Sequence, residues 1–231
     1  MPRTPLVILD TPDVASLRGP ADLPRARLDR YYSTEPCSNC AASCCSAKVE
    51  LTTVEALRVA HGLRIAVEAV VQRIDCPPNL ADRMASVPIP LDDGLTVLRL
   101  RHSAAGACVF LQRLLEQGRC AAHAHRPALC HFFPFRFRVN ERTLSMGDPA
   151  VCPARWVKSA ALEAALRRVH ARWRRDFSDE KRLVRDWERA GGAARPWREY
   201  AEFAARWVEA RRKWTRPAWM LVPATRAGWR K

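Results

Sequence analysis

The stretch CSNCAASCC, Cys37 to Cys45, places four cysteines in nine residues, the last two adjacent. Thiolates are strong ligands for zinc and for iron-sulfur clusters, and a CxxC turn brings two sulfurs to one ion because the chain reverses within the two intervening residues. Cys37 and Cys40 have that spacing. Cys44 and Cys45 do not: on an extended backbone, adjacent side chains point to opposite sides and reach one tetrahedral ion only with strain. The pair is therefore expected to serve two neighbouring sites. Four further cysteines, Cys108, Cys120, Cys130 and Cys152, bring the set to eight, the number that two four-thiolate sites require. Cys76, beside Pro77-Pro78, stands outside this pattern and reads as an ordinary thiol, buried or partly exposed.

The chain around these cysteines is that of a globular protein. It has 231 residues, 48% of them hydrophobic and 27% charged, close to ordinary domain composition. The longest apolar run near the N-terminus, Leu6 to Leu9, is far short of a signal-peptide core, and no stretch approaches the ~20 apolar residues of a membrane span. A cytoplasmic protein without membrane contact is expected. In a reducing compartment an odd count of nine cysteines suits metal ligation or redox chemistry better than structural disulfides. The net charge of +15 is uneven: residues 153–231 hold 21 lysines and arginines against 9 aspartates and glutamates. All nine cysteines precede that segment and all eight tryptophans fall within it. The expected organisation is an extended leader over residues 1–36, a cysteine-cluster metal-binding domain over 37–153, and a basic Arg/Trp-rich helical extension over 154–231.

Local patterns fill in the elements. The leader holds six prolines and at most one short strand at Leu6 to Leu9. Lys48 to Leu51 reads as a strand, and Thr52 with Glu55 three residues later forms a capping-box signature for a helix toward His61, ended by Gly62. Ile65, Val67, Val70, Val71 and Ile74 suggest a second helix before Cys76-Pro77-Pro78. Leu95 to Leu100 reads as a strand, and Phe132 to Met146 as a hairpin with Asn140 near its centre, Pro134 arguing for an edge. Beyond Cys152 the pattern is helical. Leu162, Leu166, Val169 and Trp173 recur at helical spacing; Ser178 can cap a second helix that Gly191-Gly192 ends; Pro196 can open a third with Tyr200, Ala204, Trp207 and Trp214 on one side. The fold class is α+β, a small cysteine-cluster domain with few short strands followed by an α-helical extension.

The settings of the cysteines carry a resemblance. Cys37, Cys40 and the Cys44-Cys45 pair, then Cys108-Val-Phe-Leu, Gly118-Arg-Cys120, Arg126-Pro-Ala-Leu-Cys130 before Phe133-Pro134, and the closing Cys152 together resemble the YkgJ or CxxCxxCC family, described as zinc- or iron-chelating domains. The resemblance covers about residues 37 to 153. It implies that Cys37, Cys40, Cys44, Cys45, Cys108, Cys120, Cys130 and Cys152 are metal ligands. Two features depart from the common pattern: three residues, Ala41-Ala42-Ser43, precede the CC pair instead of two, and His131 stands where a basic residue often follows the cysteine. The family also resembles the cysteine-rich part of bacterial flagellin lysine N-methylases, which would imply iron-sulfur chemistry.

The cofactor expected is iron-sulfur cluster(s) or zinc ions. All-cysteine zinc sites usually come as two close pairs, whereas the later cysteines here are separated by 11, 9 and 21 residues with no second CxxC, which favours iron-sulfur. His123, His125 and His131 lie among the ligands and could replace a thiolate or orient one, and Arg119 and Arg126 could offset the charge of a four-thiolate centre. No phosphate-binding loop, dinucleotide fingerprint, GxSxG elbow or HExxH is present, so the common nucleotide, hydrolase and zinc-protease signatures are absent. Three functions follow: a metalloprotein with redox or protein-modification chemistry, a zinc-structured module whose basic C-terminal helices engage nucleic acid or an acidic protein partner, and a metal carrier or sensor.

Overall fold

The computed structural model describes residues 43–77, 79, 86–114, 117–133, 135–138, 143–146 and 160–211. The leader with its Leu6 to Leu9 strand, Cys37, Cys40, Cys152, Pro134, Asn140 and Trp214 lie outside the described residues.

Helix α1 (Thr53–Leu63) begins where the sequence places it. The Thr52 side chain accepts a hydrogen bond from the Glu55 N–H, and the Glu55 carboxylate returns one from the Thr52 N–H at 3.2 Å, satisfying two amides that a helix start leaves unpaired. The helix does not stop at Gly62. It continues to Leu63, and Arg64, at φ 58°, takes the left-handed cap. Gly62 serves packing instead: a Cβ there would lie 2.4 Å from Nδ1 of His125, so only glycine lets that ring seat against α1.

The apolar run after it is mostly strand. One helical turn, α2 (Val67–Val70), leads directly into β1 (Val71–Asp75), which pairs antiparallel with β3 (Gly94–Leu100) in the register Val71↔Leu100. β-Branched residues fit a pleated surface, and the partner strand decides between the two readings. β2 (Ile89–Leu91) pairs with the other edge of β3 and closes a two-residue hairpin at Asp92-Asp93, giving the sheet order β1-β3-β2. Val49 and Leu51 add backbone hydrogen bonds to β3, yet only Glu50 forms a bridge, so the expected 48–51 strand is reduced to one residue. Two small hairpins follow: β4 (Leu111–Leu114) with β5 (Gln117–Cys120), and, after the short helix α3 (Ala128–Phe132), β6 (Phe135–Arg138) with β7 (Thr143–Met146). The second is the hairpin read from the sequence, except that Phe132 belongs to α3.

The basic segment forms one 30-residue helix, α4 (Ala160–Arg189), continuous through Ser178. Its buried stripe explains the continuity. Asp176, Glu180, Leu183 and Trp187, spaced by four, three and four residues, all face inward, so the helix has no exposed break at which a cap could form. Gly191, at φ 71°, turns the chain, and Gly192 must be glycine because a Cβ would lie 2.1 Å from the ring of Trp187. Helix α5 (Trp197–Arg211) then returns with Tyr200, Ala204, Trp207 and Val208 buried.

One core joins Val54 and Val59 of α1, Leu98 and Leu100 of β3, Leu183 and Trp187 of α4, and Tyr200 and Trp207 of α5. Complete burial of an aliphatic side chain such as Leu183 contributes about 2 kcal/mol. Trp187 also donates from its indole to the Pro90 carbonyl at 2.9 Å, fastening α4 to β2. The fold is α+β with a C-terminal helical part, as the sequence reading expects. No helix among the described residues is long and apolar enough to cross a membrane.

Candidate metal centre

Cys44 and Cys45 lie in a 3-10 turn, Ser43–Ser46, so the extended backbone on which their divergence was argued is not there. Their side chains are hydrogen-bonded to each other. The Cys45 carbonyl accepts the Cys108 N–H at 2.7 Å, bringing the second segment to the first. Cys120 closes β5 opposite Leu111, and the Ala121 N–H donates to the Phe110 carbonyl at 2.8 Å, so the β4–β5 hairpin returns the chain beside Cys108. Cys130 comes from α3. Cys108 is part of the main core, and Cys45, Cys120 and Cys130 pack against it. None of the six described cysteines is in a disulfide.

Five of these thiols lie within reach of one another's charge. The hydrogen bond from Cys45 lowers Cys44 to about 7, helped by the charge of Arg126; Cys45 is raised by the same bond, by burial and by the fields of Cys44, Cys120 and Cys108. Burial, then the neighbouring Cys108, pushes Cys120 up to about 12. Burial raises Cys130 too, followed by the charges of Cys120 and Cys108. Burial raises Cys108, against a backbone hydrogen bond from Phe110. Gathered without a cation, these side chains can hold few negative charges, because each thiolate opposes the next in a low-dielectric setting. A metal cation among them would attract every thiolate and offset that repulsion, so the donor set fits a thiophilic metal. Among the described residues, no group of three or more histidine, cysteine, aspartate or glutamate side chains could hold a metal ion by itself. Cys37, Cys40 and Cys152 lie outside those residues, so any full ligand set drawn from the eight includes cysteines not described.

Cys76 stands apart, as expected. It is 3% exposed, its thiol faces the Pro77 carbonyl at 3.8 Å, and its neighbouring charge is Glu50 rather than another cysteine. The histidines have distinct settings. His131 accepts from Nε of Arg126 at 3.1 Å through Nδ1, which places its proton on Nε2 and leaves it no ring lone pair for a metal; burial and the Arg126 charge push it down to about 2. It orients Arg126, whose guanidinium acts on Cys44, Cys120 and Cys130. His123 is buried, and His125 packs on Gly62. Arg119 occupies β5 opposite Gln112.

What the sequence reading missed is the polar network that places α3. Glu55 Oε1 accepts the Ala128 N–H at 2.8 Å, so a residue of the α1 capping box also caps the helix carrying Cys130. Glu180 of α4 accepts from the Thr53 N–H at 3.0 Å, the Thr53 hydroxyl at 2.6 Å and the Val54 N–H at 3.3 Å, and the Tyr200 hydroxyl lies 2.8 Å from that of Thr53. Arg58 pairs with Asp176 and lies 3.7 Å from Glu55. Asp176 and Glu180 lie on the apolar stripe of α4, a position where a charge needs a partner; that placement was the available signal.

No curated protein and no solved structure matches the chain. A family described as "CxxCxxCC: Putative zinc- or iron-chelating domain" matches residues 36–153, which include all nine cysteines. By the order of its cysteine segments and this match across half its length, the chain belongs to the CxxCxxCC family.

Proposed function

We propose that the thiolates of Cys44, Cys45, Cys108, Cys120 and Cys130, together with those of Cys37, Cys40 and Cys152, supply the ligands of iron-sulfur cluster(s), four thiolates to each. The observation that supports this reading is that five cysteines from four separate segments lie within reach of one another's charge, Cys44 and Cys108 raising Cys45, Cys120 and Cys130 alike. Iron-sulfur clusters draw thiolates from distant segments, whereas structural zinc sites favour paired CxxC loops. When bound, such a centre supplies one-electron transfer or Lewis-acid chemistry. The protein's own residues do the rest: Arg126 favours the Cys44 thiolate and offsets accumulated negative charge, and the core against Cys108 keeps water away.

The test is purification without oxygen, followed by a visible spectrum and measurement of iron, zinc and acid-labile sulfide per chain. Iron and sulfide in equal amounts, with broad visible absorption that bleaches on reduction, is the expected result. Zinc without sulfide would replace the iron-sulfur assignment with a zinc one, and a chain with neither would overturn both.

A further inference from the structure

Helices α4 and α5 enclose a cleft of about 410 Å³ lined by Arg182, Arg185, Asp186, Arg189, Trp207 and Arg211, and by none of the cysteines. Four guanidinium groups meet one carboxylate there. Asp186 is already engaged: it accepts the Trp207 indole N–H at 2.7 Å and lies 3.4 Å from Arg211 and 3.7 Å from Arg189. Arg182 and Arg185, one helical turn apart and both exposed, have no carboxylate partner among the described residues. The cleft therefore holds three uncompensated positive charges at the surface.

We propose that this cleft binds a phosphate-bearing small molecule, with a diphosphate group seated against Arg182 and Arg185. Guanidinium forks match phosphate oxygens in pairs, and three uncompensated charges suit a polyanion better than a single carboxylate. The volume is that of a small-ligand site. Nucleic acid fits less well, because stacking needs an open aromatic face: Trp207 is 6% exposed and the Arg211 guanidinium lies 4.1 Å over its ring. Residues 212–231 of the chain contain no aspartate or glutamate, so their side chains supply no anion to this cleft. The site is independent of the metal centre.

The test uses the full, metal-loaded chain at low salt, titrated calorimetrically with pyrophosphate and with ADP. Binding of either at one site per chain is expected, the stronger of the two indicating whether the phosphate comes alone or on a nucleoside. The double variant Arg182→Ala/Arg185→Ala should weaken that binding by about tenfold to a hundredfold, the loss of charge-assisted hydrogen bonds. Both side chains are exposed on mid-helix positions where alanine is favourable, so circular dichroism should be unchanged. Arg198→Ala, which removes an exposed cation on α5 outside the cleft, should leave the affinity as it was. Absence of binding at millimolar ligand, or equal weakening by Arg198→Ala, overturns the proposal. So does a single-stranded oligonucleotide that displaces pyrophosphate with a salt dependence of more than about three phosphates, which would assign the surface to nucleic acid.

Discussion

Replacing Glu55 with alanine should loosen the fold and the metal centre together. The carboxylate is 1% exposed and accepts from two backbone amides, Ala128 N–H at 2.8 Å and Thr52 N–H at 3.2 Å. Alanine leaves both donors without their acceptor, at about 1–3 kcal/mol each. Part of that is offset because burial penalises the charged carboxyl, which raises its pKa in the folded state, and because Arg58 keeps its pair with Asp176. The net loss should be about 3 kcal/mol, or about 6–12 °C in the unfolding midpoint of a chain this size. Urea unfolding of the metal-loaded protein, followed by tryptophan fluorescence, measures the first effect. Metal retained after gel filtration against a weak chelator measures the second, since the freed amide begins α3 and that helix carries Cys130. A variant within about 1 kcal/mol of the parent with equal metal retention would refute the claim that Glu55 holds α3 in place.

Burial pushes the Glu180 carboxyl up to about 7, so between about pH 4.5 and 7 the folded chain keeps a proton that the unfolded chain has lost; stability falls as pH rises through that window, by about 3 kcal/mol in full. Glu180→Gln should flatten that part of the pH dependence, read as the difference in urea midpoints between parent and variant at pH 5 and pH 8; parallel curves would contradict it. Cys130→Ser should lose bound metal, whereas Cys76→Ser should retain all of it, both checked by elemental analysis of anaerobically purified protein. Gly192→Ala forces a Cβ against a Trp187 ring that is 1% exposed, so a loss of about 1–3 kcal/mol is expected on thermal unfolding, with metal content unchanged.

Where the controlling chemistry is local, the sequence was readable. Thr52 and Glu55 specify the start of α1 by their own side chains, Gly191 supplies the left-handed turn after α4, and the order of the cysteine segments marks the family. Readings that depend on a distant partner failed. Val71 to Asp75 is a strand because β3 lies beside it, and Ser178 sits in mid-helix because Asp176 and Glu180 on either side of the expected break are both buried. The same reason hid the second role of Glu55, whose partner Ala128 is 73 residues away. The Cys44-Cys45 pair fell between these cases: its place in the site was visible, but its turn conformation depends on backbone contacts such as the Ala47 N–H to the Cys44 carbonyl at 3.1 Å, which composition does not show.

If the clustered cysteines are thiolate ligands, the metal's nearest neighbours must be sulfur. X-ray absorption at the edge of the metal found in the purified protein tests it most directly. A first coordination shell of sulfur alone at about 2.3 Å, as thiolate-bound metals show, is the expected result. A shell made of oxygen and nitrogen, in a protein whose six described cysteines remain reactive toward alkylating agents, would contradict it.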